Sequence, residues 1–113
     1  MANRRRGEVQ AGFDGRPHTL CLTLGALAEL EDRLGAEHLV ALAERFGAGR
    51  PSARDLIQVL AAGLRGGGHP LTDDEVAALS PDGGVEGAAR AAAALLVAAF
   101  GGGDDPARPP GPA

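Results

Sequence analysis

The side chains able to do chemistry are few and scattered along the chain. His18-Thr19-Leu20-Cys21 sets a nitrogen and a sulfur ligand three residues apart. In a strand those two project from opposite faces, and a tetrahedral zinc site needs a full set of four ligands, which the spacing does not supply. His38 falls in the first turn of a predicted helix and His69 in a glycine-rich loop. Thr72-Asp73-Asp74-Glu75 gathers three carboxylates in four residues. A calcium loop spreads its ligands over about twelve residues. These four letters instead suit a helix start, where acids meet the positive end of the dipole and satisfy orphan N–H groups.

Gly63-Leu64-Arg65-Gly66-Gly67-Gly68-His69 has the glycines of a phosphate loop but follows a helix and lacks the Lys-Ser/Thr pair, so it reads as a flexible helix stop and connector. Neither Ser52 nor Ser80 sits in a Gly-x-Ser-x-Gly setting. Cys21, among Leu and Thr, is expected to be a small packed side chain and not a nucleophile. No nucleophile, base and oxyanion donor assemble. The expectation is a protein that is not an enzyme, with no cofactor, no metal and no small-molecule substrate.

The remaining chemistry is binding. Arg4, Arg5 and Arg6 can make electrostatic contacts, with nucleic-acid phosphate as one option. Between residues 7 and 103, however, seven Arg face thirteen acids, and the whole chain carries net charge -4. Its three aromatics, Phe13, Phe46 and Phe100, fall on predicted core faces and leave none to stack on bases. Nucleic acid is therefore disfavoured, and the arginines are expected to form a solvated tail that aids solubility or meets an acidic partner.

The elements that hold these residues follow from periodicity. Asp14-Gly15 is a good turn pair for a two-residue hairpin over roughly residues 8 to 23, placing Val9, Ala11 and Phe13 on one face with His18, Leu20 and Leu22. Thr23 caps a first helix whose buried stripe is Leu24, Leu27, Leu30 and Leu34, stopped by Gly35. A second helix covers about Ala36 to Phe46, with Leu39, Leu42, Ala43 and Phe46 inward. Ser52-Ala53-Arg54-Asp55 resembles a capping box opening a third helix with the stripe Leu56, Ile57, Leu60 and Leu64. A fourth starts at Thr72, and a fifth runs from about Val85 to Phe100. The fifth is mostly Ala on every face, which calls for a central position or a partner. Ala92, Leu95, Leu96, Ala99 and Phe100 are its candidate partner-binding residues.

The fold class expected is α+β, mostly α: an N-terminal β-hairpin followed by four to five short helices in a small bundle. The chain of 113 residues divides into a basic tail (1–7), one domain (8–101) and a Pro/Gly-rich tail (102–113) expected to be disordered. No run reaches the roughly 18 apolar residues of a membrane span, and the arginine cluster is not followed by the apolar segment of a signal peptide. One cysteine suits a reducing compartment, so a cytoplasmic location is expected. The core is short of large side chains, with 15 Leu, 6 Val, 1 Ile and 3 Phe, and self-association or a protein partner would complete it.

Several strings carry a resemblance. Met1-Ala2-Asn3 with Arg6-Gly7-Glu8-Val9, then Asp14-Gly15-Arg16, Leu20-Cys21-Leu22-Thr23-Leu24-Gly25-Ala26-Leu27-Ala28-Glu29-Leu30-Glu31, Ser52-Ala53-Arg54-Asp55-Leu56, Gly63 to His69, and Thr72 to Val76 resemble the small tail proteins of alphaproteobacterial gene transfer agents. The likeness covers residues 2 to 101 in collinear order. It implies a role in building a phage-like tail, with tape-measure protein or other tail proteins as partners, possession of no catalytic motif, and an association with the particle. Family members are described either as tail tube proteins or as tail assembly chaperones. One hairpin followed by helices suits a chaperone that binds the tape-measure protein better than a ring of β-sandwiches. The alternatives are a structural tail tube or tail-end component and, second, a small DNA-contacting regulatory protein.

Overall fold

A computed structural model describes residues 7–48 and 52–100. The tails 1–6 and 101–113, and with them the basic cluster and the Pro/Gly-rich stretch, lie outside the described residues.

The chain begins with β1 (Glu8–Phe13) and β2 (Arg16–Cys21), paired antiparallel. Asp14 and Gly15 between them have φ of 55° and 77°. Two left-handed residues make the turn whose twist matches the strands, and Asp tolerates that region where most side chains do not. The register pairs Val9 with Leu20, Ala11 with His18 and Phe13 with Arg16, so the expected apolar face forms. Phe13 and Leu20 on it are buried.

Five helices follow: α1 (Leu24–Leu34), α2 (Ala36–Gly47), α3 (Ala53–Gly66), α4 (Asp73–Ala77) and α5 (Gly84–Ala99). Thr23 caps α1 by accepting from the Ala26 N–H at 3.0 Å, and Gly35, at φ 88°, ends it and opens α2. The α4 capping box is complete in both directions: the Glu75 N–H donates to Thr72 Oγ1 at 3.1 Å and the Thr72 N–H to Glu75 Oε1 at 2.8 Å. At α3 only one half forms. The Asp55 N–H reaches Ser52 Oγ at 3.5 Å, while the Asp55 carboxylate turns toward His38 Nε2 at 3.9 Å, so it ties α2 to α3 instead of closing the box.

The α3 and α5 helices form the middle of the molecule. The first packs on β2, α1 and α4, and the second on β1 and α2, with direct contact between them. Their meeting point is Gly63, where a Cβ would come within 2.6 Å of Leu95 Cδ1 and 3.3 Å of Leu20 Cβ. Gly66 and Gly67 differ from the expected flexible connector. Gly66 ends α3 and Gly67 caps it, and both press on β2 so closely that a side chain would run into the backbone oxygens of Cys21 and Thr19. Glycine is needed here for close approach, not for mobility.

Four residues expected in the core, Leu24, Ile57, Val85 and Phe100, are not fully buried, and one not expected there is. Leu24 is 86% exposed. At 100° per residue, Leu27, Leu30 and Leu34 fall within an arc of about 60° and Leu24 falls outside it, on a first turn with nothing over it. Ile57 is only half-buried, and Val59, absent from the expected stripe, is fully buried because α3 is covered on several sides. Val85 and Phe100, at the two ends of α5, are 60% and 46% exposed.

Candidate functional site

Two of the three carboxylates at the α4 start are spoken for, Asp73 by arginines and Glu75 by the capping box. Asp73 accepts from Arg33 Nη1 at 2.9 Å and from Arg65 Nη1 at 3.2 Å, and the same two arginines reach Glu29 Oε2 at 3.2 and 3.4 Å. Arg65 also donates to the Leu71 carbonyl at 3.0 Å. Two guanidiniums between two carboxylates join α1, α3 and the first residue of α4, and Arg65 also holds the loop before it. Among the described residues no group of three or more His, Cys, Asp or Glu side chains is arranged to hold a metal ion.

The hairpin tip is clasped by the α4–α5 loop. The Asp14 N–H donates to the Ser80 carbonyl at 2.8 Å, the Ser80 N–H to Asp14 Oδ1 at 3.1 Å, the Asp82 N–H to the Gly12 carbonyl at 3.0 Å, and the Gly15 N–H to Asp82 Oδ1 at 3.0 Å. Phe13 and Pro81 form a bridge between them, so Ser80 to Asp82 act as a stub of a third strand. The Ser80 backbone thus serves packing.

His18 and Cys21 leave opposite faces of β2, as the register requires. His18 lies edge-on between Phe13, with ring centroids 5.5 Å apart, and His69, at 5.0 Å, while its Nδ1 is 2.9 Å from the Arg16 carbonyl. This stack fastens the loop after α3 onto the hairpin. Burial, and then the Glu8 carboxylate, push the Cys21 thiol above its ordinary range, which lowers its thiolate fraction.

The proposed contact residues of the last helix separate by depth. Ala92, Leu95 and Leu96 are fully buried inside this chain, so no partner reaches them while the domain is closed. Ala99 is half-buried and Phe100 is open. The outward apolar side chains on the helices are Leu24, Val40, Val85, Val97 and Phe100. A surface feature not anticipated is an apolar hollow of about 170 Å³ at the α5 start, between α3, α4 and Val85. The helical periodicity does place Val85 on the inward face, and only the packing reveals that nothing closes over it. No helix of the described residues is long and apolar enough to cross a membrane.

Hairpin, helices and clasp pack into one core, with Leu24, Val40, Val85, Val97 and Phe100 left exposed among the described residues. No curated protein and no solved structure matches the chain. A family model does, the one described as phage tail tube protein, GTA-gp10, over residues 6–102. With that match running from the strand-leading turn through all five helices, the chain belongs to the phage tail tube protein, GTA-gp10 family.

Proposed function

We propose that this tail protein is a structural component of the tube of a gene-transfer-agent or phage-like tail, acting through contacts with other tail proteins and with copies of itself. The observation that carries the reading is the family match across nearly the whole domain. It is supported by a surface whose outward groups are apolar or charged side chains suited to protein contacts, with Leu24, Val40 and Val97 exposed on separate helices. A location in the particle, following assembly in the cytoplasm, goes with it.

A second reading, a chaperone that binds the tape-measure protein during assembly, is favoured by one observation: the described residues hold a single two-stranded sheet. A closed tube wall is more readily built from larger β-structures, and a mostly helical module more readily holds helices. The DNA-contacting alternative rests on Arg4, Arg5 and Arg6, which lie outside the described residues, and the family match gives it no support.

Quantitative mass spectrometry of purified particles tests the proposal. A tube component appears in copy number comparable to the other tail proteins. Absence from finished particles, combined with co-purification alongside the tape-measure protein from co-expressing cells, overturns it in favour of the chaperone.

A further inference from the structure

The two outer edges of the hairpin differ. With a two-residue turn closed by Phe13 and Arg16, the residues Val9, Ala11 and Phe13 bond across to β2, and the alternate residues Gln10 and Gly12 turn their N–H and C=O groups outward. On β2 the outward carbonyls of Thr19 and Cys21 lie against Gly67 and Gly66 at the end of α3, and Pro17 has no N–H to offer. That edge is closed.

The outer edge of β1 is paired at its tip, where Gly12 accepts from the Asp82 N–H at 3.0 Å and Phe13 bridges to Pro81. The third strand begun there stops after Asp82, because Gly83 and Gly84, with φ of 82° and 70°, turn the chain away into α5. Gln10 is the next outward residue along the edge. It is exposed, and neither its N–H nor its C=O has a partner among the described residues. Beside it runs a groove of about 320 Å³ between β1 and α5. Val9, Ala11 and Ala94 line this groove half-buried, so its floor is apolar and partly uncovered while its rim is strand backbone.

These features select the occupant. Outward N–H and C=O groups on a strand are met by the backbone of another extended chain, and not by a helix, whose backbone groups are consumed internally. The floor calls for apolar side chains at alternate positions, the ones a strand turns to one face. The β1 edge of a second copy is a poor match, because its own Asp82 closes it from Gly12 onward and leaves too short a stretch for two hairpins to pair.

We propose that the open edge of β1 is a docking site for an extended segment of a partner protein, alternately apolar and polar in sequence. The segment adds as a third strand beside Gln10 and lays its apolar side chains over Val9, Ala11 and Ala94. The short side chains of Ala91 and Ala94 keep the corner between strand and helix open for it. The site does not depend on whether the chain remains in the finished particle, so the particle inventory and the experiment below fail separately.

The probe is the peptide Lys-Thr-Val-Thr-Val-Thr-Lys, with one twin in which both Val are Ser and one whose central residues are N-methylated and donate no backbone hydrogen bond. Titrated into the dilute isotope-labelled full chain, the peptide is expected to shift the amide resonances of Gln10, Ala11 and Ala94 and to slow hydrogen exchange at Gln10. It should bind about fivefold or more tightly than either twin, the factor expected for one hydrogen bond or one apolar contact. Gln10→Pro removes the outward N–H where an edge strand tolerates proline, so it should weaken binding by a similar factor with little change in melting temperature. Should that variant disturb the hairpin, Ala94→Glu, which sets a charge in the groove, should abolish binding and decides alone. Equal binding of the three peptides, no binding, or shifts centred on another face overturns the proposal. Slow exchange of Gln10 in the free dilute chain assigns the edge to the chain's own residues, and slowing on concentration assigns it to a second copy; either overturns it too.

Discussion

Asp14 and Ser80, 66 positions apart in the chain, hold each other by two hydrogen bonds: Asp14 donates its N–H to the Ser80 carbonyl at 2.8 Å and receives the Ser80 N–H on its carboxylate at 3.1 Å. Through this pair the tip of the hairpin is fastened to the loop that launches α5, and the orientation of β1 against α5 depends on it.

Asp14→Ala should therefore destabilise the domain by about 1–2 kcal/mol. It removes one acceptor, worth about 1 kcal/mol, and forces a β-carbon without compensating hydrogen bonds into φ 55°. Asp14→Gly keeps the turn and loses only the acceptor, so it should cost less. Urea denaturation of the two variants checks the order, and the reverse order contradicts the account.

Gly66→Ala and Gly67→Ala should each cost about 3 kcal/mol, because the added methyl meets the backbone of β2, which cannot swing aside as a side chain can. Gly47→Ala is the control. Nothing lies within 4 Å of its Cβ position, and alanine is the better helix former, so stability should hold or rise by up to about 1 kcal/mol. Thermal melts of the three variants separate close packing from helix propensity.

Leu95→Ala should lower stability by about 2–5 kcal/mol, as expected of a fully buried leucine beside Gly63. Phe100→Ser, at a 46% exposed side chain, should cost less than about 1 kcal/mol. If Phe100 contacts another tail protein, its loss shows in assembly of particles with the melting curve little altered. A large stability loss for Phe100→Ser would place it in the core.

Cys21 should alkylate more slowly than a free thiol near neutral pH, since burial and Glu8 hold it protonated. The sign for stability follows from the same shift. The folded thiol keeps its proton to higher pH than the unfolded one, so the unfolded chain binds fewer protons above the ordinary thiol range, and stability falls as pH rises through the window between the two values. Cys21→Ala should flatten that part of the stability–pH profile, and an unchanged slope would argue against the shift.

The local signals were strong enough to read elements one at a time. Asp14-Gly15 turns because both residues tolerate positive φ, Thr72 and Glu75 cap each other because the spacing suits one helical turn, and Leu39, Leu42 and Phe46 point inward because they recur at helical intervals. Hairpin, five helices and the membership of a tail-protein family were legible at that level. Periodicity says which face of a helix is apolar, but it is silent on what covers that face. Leu24 and Val85 stand at helix starts where no neighbour closes over them, and Ala92, Leu95 and Leu96, apolar enough to serve a partner, are consumed by α2, α3 and the hairpin. The clasp of Asp14 by Ser80, the pressing of Gly66 and Gly67 on β2, and the hollow beside Val85 are likewise relations between distant parts of the chain. They are decided by packing in three dimensions, because cover, close approach and an unmet hydrogen bond are properties of pairs of elements, and no single stretch of sequence contains them.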